Sequence, residues 1–381
     1  MANETLINAK RVKNDEFYTQ YGDIQKEVEA YLEYNPDVFR NKIVYCNCDD
    51  PYESNFFKYF ALNFNRLGLK KIITTCYVSS PIAGEQLPLK QIEGLKPENR
   101  KPFKLKISEV KDVNKDGAVN LVDVGWLLKN DANTSELLKG DGDFRSNECI
   151  ELLEQSDVIV TNPPFSLFSE YIKQLVEHGK KFLIIGNMNA ITYKEVFPLI
   201  KENKMWLGTD SGQKIYQVPD SYEQENVFVG EDGKRYTKMG NTGWFTNLDH
   251  GRRHQPLPLM TEADVIKFAT QKPFIEYDNY NAIEVCPVKN IPSDYKGVMG
   301  VPVSFLDKYN PEQFEILGTS DNGLVDDKFK RTPGLTKRFV NDYYKSGGTG
   351  SYKEGNPTAG YYEDGIAKMA YKRIFIRHKK K

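Results

Sequence analysis

The stretch Asp157-Val-Ile-Val-Thr-Asn-Pro-Pro-Phe-Ser-Leu-Phe-Ser-Glu-Tyr-Ile172 decides the fold expected for this chain of 381 residues. Its first five residues form a short apolar run, which is typical of a strand that is buried on both faces. Beyond the two prolines, apolar side chains recur at helical spacing from Phe168 to Val176, and Gly179 ends this pattern. The apolar run Lys181–Ile185 follows, so the order strand, helix, strand predicts a βαβ unit.

The same order occurs earlier in the chain. Lys42–Asn47 is predicted to be a strand, Glu53–Leu67 carries apolar residues at helical spacing up to Gly68, and Lys71–Tyr77 is predicted to be a second strand. Two such units predict an α/β fold with a mainly parallel, doubly wound sheet and helices on both of its faces. Ligands of such sheets bind beyond the carboxyl ends of the strands, so chemistry is expected in the residues that follow each strand.

The second half of the chain has a different texture, with frequent Gly, Pro, Tyr and Asn residues. Gly297–Leu306 and Gln313–Gly318 are predicted to be strands on either side of a turn. We therefore expect one domain over residues 1–270, with an insertion at about 78–140, and a β-rich region over residues 271–381.

Composition excludes several classes of protein. Apolar residues make up 39% and charged residues 28% of the chain, which is the balance of a globular protein with a core. Five cysteines without a CxxC pair argue against a zinc site and against a disulfide framework. No run approaches the roughly 18 apolar residues that span a bilayer, so a cytoplasmic protein without a membrane partner is expected.

The four residues Asn162, Pro163, Pro164 and Phe165 directly follow the predicted strand Asp157–Thr161 and resemble the Asn-Pro-Pro-Phe/Tyr motif of amino-methyltransferases. An adenine N6 amine is a poor nucleophile because its lone pair is delocalised into the ring. In that family the Asn side chain and the first Pro carbonyl accept its two hydrogens, and the prolines hold these acceptors in place. The Phe ring offers a face on which an extruded base stacks. The alternative is a simple turn that ends a strand.

Two segments near the amino terminus are candidates for holding the cofactor of such an enzyme. The segment Asp15–Gln20 resembles a Phe-x-Thr segment that covers the methionine part of the cofactor in many DNA amino-methyltransferases. The segment Tyr45–Asn55 occupies the first strand–turn–helix, although it lacks the usual Gly-x-Gly, and its carboxylates are candidate partners of the methionine ammonium group. The candidate cofactor-binding residues in these segments are Phe17, Tyr18, Thr19, Asn47, Asp49 and Asp50.

A third candidate is the loop Gly140–Ser146, which precedes the helix before the motif strand. Its position fits a loop that contacts the adenine ring of the cofactor, with Asp143 accepting from the amino group and Phe144 stacking on the ring. The alternative is a flexible turn. Asn162 is also counted among the expected cofactor contacts.

Together these segments resemble the EcoRI-type adenine-specific DNA methyltransferase family, and the likeness covers most of the first 250 residues. The resemblance implies a class I, Rossmann-like methyltransferase fold, S-adenosyl-L-methionine as cofactor, and double-stranded DNA as partner. It also implies base flipping and N6-methyladenine as the product of a restriction-modification system. Residues 1–270 are then the catalytic domain and residues 271–381 the target-recognition region. A monomer or weak dimer is expected, with a cognate restriction endonuclease encoded nearby.

Candidate DNA contacts are basic residues that lie among aromatic ones, as suits a groove that binds phosphates and stacks bases. The basic tail Tyr371–Lys381 is a further candidate, and the alternative for all of them is a solvated surface. The residues are Arg235, Lys238, Arg252 and Arg253.

Other functions stay open at this point. An amino-methyltransferase could act on cytosine N4, on RNA or on a protein glutamine, and a DNA-binding protein could carry an inactive methyltransferase fold. Asp112–Asp123 has the ligand spacing of an EF-hand loop, although its last ligand is Asp, so a calcium-dependent binding module is an alternative of another class. The methyl transfer itself requires no metal.

Overall fold

A computed structural model describes residues 18–48, 54–75, 102–116, 119–130, 135–218, 222, 226–269, 272–321 and 324–379. The strands are β1 Tyr18–Thr19, β2 Ile43–Cys46, β3 Lys71–Thr75, β4 Phe103–Ile107, β5 Ser135–Leu137, β6 Val158–Thr161, β7 Lys181–Asn187, β8 Trp206–Leu207, β9 Lys214–Gln217, β10 Val227–Val229, β11 Arg235–Met239, β12 Thr242–Thr246, β13 Ile275–Glu276, β14 Ile283–Glu284, β15 Met299–Pro302, β16 Phe314–Thr319, β17 Gly360–Glu363, β18 Ile366–Met369 and β19 Arg373–His378. The helices are α1 Tyr21–Tyr34, α2 Asn55–Leu62, α3 Phe64–Leu67, α4 Leu121–Asn130, α5 Asn147–Gln155, α6 Phe168–Glu177, α7 Phe197–Lys201, α8 Glu262–Phe268 and α9 Lys337–Lys345.

The chain divides into two compact units. The first unit comprises Met1–Ala190 and Leu207–His250, and the second comprises Ile191–Trp206 and Gly251–Lys381. The division at residue 250 precedes the boundary at 270 expected from the sequence, and a short segment of the first half joins the second unit. The functional assignment of the two regions stays a prediction. Among the described helices, none is both long and apolar enough to cross a membrane.

An eight-stranded sheet in the order β5-β4-β3-β2-β6-β7-β12-β8 forms the centre of the first unit. The four neighbouring strands β3, β2, β6 and β7 run parallel, while β4 and β12 run antiparallel to their neighbours β3 and β7. The prediction of a class I α/β fold with two βαβ units is therefore confirmed. The sheet is mixed, because antiparallel strands flank the parallel centre on both sides.

Helices cover both faces of this sheet. The crossover from β2 to β3 runs outward in one direction and the crossover from β6 to β7 in the other, so right-handed connections place α2 and α6 on opposite faces. Alternate residues of a strand point to the same face of the sheet. Val44 and Cys46 of β2 accordingly pack with Phe56 and Phe60 of α2 in one apolar cluster.

Local sequence explains where the first crossover helix begins and ends. The Ser54 hydroxyl accepts hydrogen bonds from the backbone N–H groups of Phe56 and Phe57, which caps α2. The predicted helix is interrupted at Asn63, and α3 ends at Gly68, whose φ of 60° is the left-handed conformation that glycine adopts without strain.

A second, four-stranded sheet of the first unit has the order β1-β9-β11-β10. Strands β9 to β11 leave the large sheet after β8 and return to it at β12. The start of β12 pairs with the carboxyl end of β7, as Thr242 lies opposite Asn187. The small sheet therefore connects to the large one at the edge where ligands of parallel sheets bind.

The described part of the expected insertion at 78–140 also contributes to the large sheet. Strand β4 pairs with β3, and β5 pairs with β4, so the two strands extend the sheet beyond β3. Strand β4 alternates buried and half-buried residues, as Phe103, Leu105 and Ile107 are buried. That pattern is typical of a sheet edge with one covered face.

The second unit contains a five-stranded sheet in the order β13-β14-β15-β19-β16. The predicted strands near 297–306 and 313–318 exist as β15 and β16, but they do not pair with each other, because β19 lies between them. The basic tail is thus a central strand rather than a free extension. Residues 345–360, which are rich in Gly, are held by Tyr344, whose hydroxyl donates to the carbonyls of Gly350 and Tyr352 at 3.1 Å.

Candidate active site

The site lies where the chain reverses its path through the large sheet. From β2 the chain moves outward to β3, and it later returns to β6 on the other side of β2. Crevices at such switch points, beyond the carboxyl ends of the two strands, are where open α/β sheets bind ligands. Asn47 follows β2 and Asn162 follows β6. Because Val44 pairs with Val158 in parallel register, the ends of these two strands lie side by side.

The Asn162 loop is only partly exposed. Asn162 is half-buried with its Oδ1 atom enclosed, and Pro163 is buried. The chain then turns through a short 3-10 helix, Phe165–Leu167, in which Leu167 donates its backbone N–H to Pro164 at 3.0 Å. Phe165 is half-buried against the apolar cluster of α2. The loop therefore holds an enclosed amide oxygen and a ring beside the crevice, as the sequence motif predicts.

Asn47 is held by a buried network at the carboxyl ends of β2 and β3. Its carbonyl oxygen accepts from the Thr75 hydroxyl at 3.1 Å, and Thr75 lies 3.1 Å from the hydroxyl of Tyr45. Burial raises the pKa of Tyr45, so this hydroxyl keeps its proton. The Oδ1 atom of Asn47 accepts from the hydroxyl of Tyr171 on α6. A residue expected to contact the cofactor is thus held through both its backbone and its side chain.

Strand β1 brings the amino-terminal segment to the same region. The Asn55 side chain, at the start of α2, donates to the carbonyl of Thr19 at 2.8 Å. The Thr19 hydroxyl is buried and has no hydrogen-bond partner among the described residues. Buried hydroxyls usually have a partner, so this one fits the edge of a ligand site. The other residues expected here, Phe17, Asp49, Asp50 and the side chain of Tyr18, lie outside the described residues.

The Gly140–Ser146 loop has internal partners. Arg145 donates to both carboxylate oxygens of Asp143, at 2.8 and 2.6 Å, and this contact lowers the pKa of Asp143. Phe144 is 5% exposed and meets the ring of Tyr171 edge-on, with centroids 5.0 Å apart. The ring of Phe144 thus packs in the core, and the guanidinium of Arg145 lies 5.3 Å from the centroid of this ring. The stacking of Phe144 on the cofactor stays a prediction.

Two residues of α6 were not expected from the sequence as part of the site. Tyr171 bonds Asn47, and Gln174 donates from Nε2 to the carbonyl of Phe144 at 3.1 Å. Both are buried. A signal exists in the sequence, since a glutamine in an otherwise apolar helical stripe needs a hydrogen-bond partner. The partner itself is set by the tertiary structure.

The candidate DNA contacts of the first unit lie on β11. Lys238 is exposed, and its Nζ lies 5.4 Å from the ring centroid of Phe228. Arg235 is half-buried and donates to the carbonyl of Tyr222 at 2.8 Å. The ring of Tyr236 stacks on Phe228 at 5.9 Å. Lysine and aromatic side chains therefore share one face of the small sheet, which suits contact with DNA.

The two candidate DNA contacts of the second unit differ in exposure. Arg253 is 7% exposed, and its guanidinium stacks 3.5 Å from the ring centroid of Trp206. Its NH2 group also donates to Asn203 at 2.6 Å. These contacts enclose the Arg253 guanidinium, and its role as a DNA contact stays a prediction. Arg252 is half-buried and acts electrostatically on Asp307.

The tail residues of β19 are also engaged within the second unit. Arg373 is buried and forms an ion pair with Glu284, with NH2 and Oε1 2.7 Å apart. Arg377 pairs with Glu315 at 2.6 Å. These arginines support the sheet instead of extending towards a ligand.

The Asp112–Asp123 loop uses its carboxylates on its own backbone. Asp123 is buried and accepts from the N–H groups of Val113 and Asn120 at 2.7 and 2.8 Å. Asp123, which would be the last ligand of an EF-hand loop, therefore caps the amino end of α4. Within the described residues, no group of three or more His, Cys, Asp or Glu side chains is arranged to hold a metal ion.

Comparisons with known proteins agree with this geometry. Residues 5–379 match the family described as "Adenine-specific methyltransferase EcoRI". The chain is 47% identical over 323 residues to the type II methyltransferase M.EcoRI of Escherichia coli, covering 83% of this chain and 89% of that protein. It is 36% identical over 314 residues to the type II methyltransferase M.MpnI of Mycoplasma pneumoniae, covering 81% and 83%. No solved structure matches the chain.

Proposed function

Because this chain belongs to the family of EcoRI-type adenine-specific DNA methyltransferases, we propose that it moves a methyl group from S-adenosylmethionine to adenine N6 in double-stranded DNA. Adenine-specific methyl transfer follows from the family, whereas the cofactor, the double-stranded substrate and the residue roles are proposed. The adenine leaves the helix before transfer, because its N6 atom cannot be reached inside the base stack.

The Asn162 loop acts on the amine. The Asn162 side-chain oxygen and the Pro163 carbonyl accept the two N6 hydrogens and expose the nitrogen lone pair, while Pro164 stiffens the loop and Phe165 stacks on the base. When bound, S-adenosylmethionine supplies a methyl group on a positively charged sulfur. The amine lone pair forms the new N–C bond as the C–S bond breaks with its electrons on sulfur, and the amine then loses a proton to solvent.

One observation carries this proposal: Asn162 and Asn47 follow adjacent parallel strands at the switch point of the sheet. A motif residue that acts on the base and a residue expected to hold the cofactor thus share one crevice. A reaction between groups that are held in the correct geometry is much faster than the same reaction in a bimolecular encounter.

The residues around this crevice fit the cofactor. Asn47 and the Thr19 hydroxyl are buried polar groups, which suit a ligand with a charged amino-acid end and a sugar. Phe17, Tyr18, Asp49, Asp50 and Asp143 complete the proposed cofactor contacts. These residues would orient the methyl group towards the amine held by Asn162.

Double-stranded DNA is the proposed partner, with Lys238 and Arg235 contacting phosphates and residues 271–381 taking part in target recognition. The overall charge of −1 gives no general attraction to DNA, so binding depends on such local groups.

The test is to incubate purified protein with tritiated S-adenosylmethionine and several plasmid and phage DNAs, and to separate the nucleosides of the digest. We expect label in N6-methyladenine, and none with Asn162→Ala. Label in N4-methylcytosine, or label only in RNA or in a glutamine peptide offered in parallel, would overturn the assignment.

A further inference from the structure

We propose that Tyr171 and Gln174 are positioning residues that align two cofactor loops with the catalytic Asn162 loop. This inference rests on the proposed function, because it concerns the same cofactor site. The two cofactor loops are the Asn47 turn after β2 and the loop Gly140–Ser146 before α5. Neither residue needs to touch the cofactor or the base.

Tyr171 contacts both cofactor loops. Its hydroxyl donates to Oδ1 of Asn47, and its ring packs edge-on against Phe144, with centroids 5.0 Å apart. The side chain is fully buried. One rigid group therefore fixes the spacing between a turn at the end of β2 and a loop that is distant in sequence.

Gln174 adds a second anchor one helical turn away. Its Nε2 donates to the carbonyl of Phe144 at 3.1 Å, and the residue is 9% exposed. Residues three apart on a helix share a face, so Tyr171 and Gln174 present both polar groups to the same region. Polar atoms in a buried stripe are costly unless they are bonded, so apolar residues would serve better if packing were their only role.

Helix α6 makes this alignment relevant to catalysis. It begins at Phe168, directly after the 3-10 helix that ends the Asn162 loop. The helix therefore carries the catalytic loop at its amino end and the two anchors on its first turns. A shift of either cofactor loop relative to α6 would move the methyl donor relative to the amine, and errors of about 1 Å cost much of the rate.

The experiment measures binding of S-adenosylhomocysteine by calorimetry, together with DNA affinity, kcat and unfolding. Tyr171→Phe keeps the ring against Phe144 and removes only the hydroxyl. We expect its Kd for S-adenosylhomocysteine to rise about 3- to 10-fold, the worth of one buried hydrogen bond, with DNA affinity unchanged. Gln174→Leu should have a similar or smaller effect.

A matched control is Tyr59→Phe, which also removes a bonded hydroxyl from a buried ring in the first unit. The Tyr59 hydroxyl donates to Glu29 at 3.0 Å and has no bond to either cofactor loop. The Tyr59→Phe variant should lose stability as Tyr171→Phe does, and it should keep the wild-type Kd for S-adenosylhomocysteine. In an Asn47→Ala background, Tyr171→Phe should have no further effect on the Kd, because its partner oxygen is gone.

Three outcomes would overturn the inference. An unchanged Kd for S-adenosylhomocysteine in Tyr171→Phe, or an equal rise of this Kd in Tyr59→Phe, would mean that Tyr171 only packs in the core. Additive effects with Asn47→Ala would show that it does not act through Asn47. Failure of the wild-type protein to bind S-adenosylhomocysteine would overturn the proposed cofactor as well, so the two failures are distinguishable.

Discussion

In the first unit, one group of buried polar side chains lies at the carboxyl ends of β2, β3 and β6, whereas the second unit has a buried ion pair within a sheet. Asn47 directly follows β2, and Thr75 is the last residue of β3. Glu284 on β14 and Arg373 on β19 instead form an ion pair across the intervening strand β15 and neutralise one another. Polar groups at strand ends are available to a ligand, while a closed ion pair inside a sheet is available only to the fold.

The hydroxyl of Tyr277 strengthens this contrast. It donates to Glu284, so that the carboxylate is bonded by both the tyrosine and Arg373. Burial raises the pKa of Tyr277 well above its usual value, so its proton stays in place. The Glu284–Arg373 pair is thus satisfied within the second unit, which predicts a structural role for it.

Breaking the Glu284–Arg373 pair should have the largest effect on stability. Arg373→Leu leaves a buried carboxylate without its cation, and we expect a loss of about 3–5 kcal/mol in the free energy of unfolding. Arg377→Leu on the same strand is the control, because its pair with Glu315 is half-exposed, and it should cost at most about 1 kcal/mol. Urea unfolding measures both. Equal losses in the two variants would remove the distinction between a buried and an exposed pair.

Asn162→Ala should have the largest effect on catalysis. Loss of one prepositioned acceptor should lower kcat by about 10²- to 10³-fold, with little change in unfolding or in binding of S-adenosylhomocysteine. Initial rates of methyl transfer at saturating DNA measure the fall in kcat.

Asn247→Ala tests the opposite edge of the large sheet, because Asn247 lies beside Phe182 at the amino end of β7, whereas Asn162 lies at the carboxyl end of β6. Asn247 bonds the backbone of Phe182 and Lys180 at 2.8 and 2.9 Å. Its loss should reduce stability by about 1–3 kcal/mol and leave kcat near that of the wild type. A large fall in kcat for Asn247→Ala would contradict the assignment of chemistry to the carboxyl ends alone.

Lys238→Ala tests whether the small sheet contacts DNA. Removal of one phosphate contact should weaken binding to all sequences alike and reduce the slope of log K against log salt by about 1. Lys42→Ala is the control, since Lys42 is exposed at the amino end of β2. Fluorescence anisotropy at several salt concentrations gives both slopes. An identical slope for Lys238→Ala and wild type would remove the small sheet from the DNA interface.

The smallest expected effect concerns Asp143. Arg145 lowers the pKa of this carboxyl in the folded protein, so the pair stabilises the fold above the unfolded pKa near 3.9 and is lost as pH falls through the lower folded value. Asp143→Asn should therefore cost less than about 1 kcal/mol at pH 7, because the pair is partly exposed, and less still near pH 2.5. Denaturation at both pH values measures the difference. A cost that is independent of pH would mean that charge is not its source.

The sequence by itself determined the parallel centre of the large sheet and the position of the Asn162 motif. Apolar runs followed by helical spacing and a terminal glycine are local signals, and they identified β2, β3, β6, β7 and the helices between them. The motif could be placed because it directly follows one of these strands, and strand ends are where such sheets bind ligands.

Only the tertiary structure decided which residues support the site and which basic residues are enclosed. The basic tail was a candidate for DNA contact, yet β19 pairs with β15 and β16 and buries Arg373 against Glu284, a residue 89 positions earlier. Arg253 stacks on Trp206, and Tyr171 reaches Asn47 across 124 positions. Burial and partnership depend on contacts between distant segments, and no local pattern of charge or hydropathy encodes them.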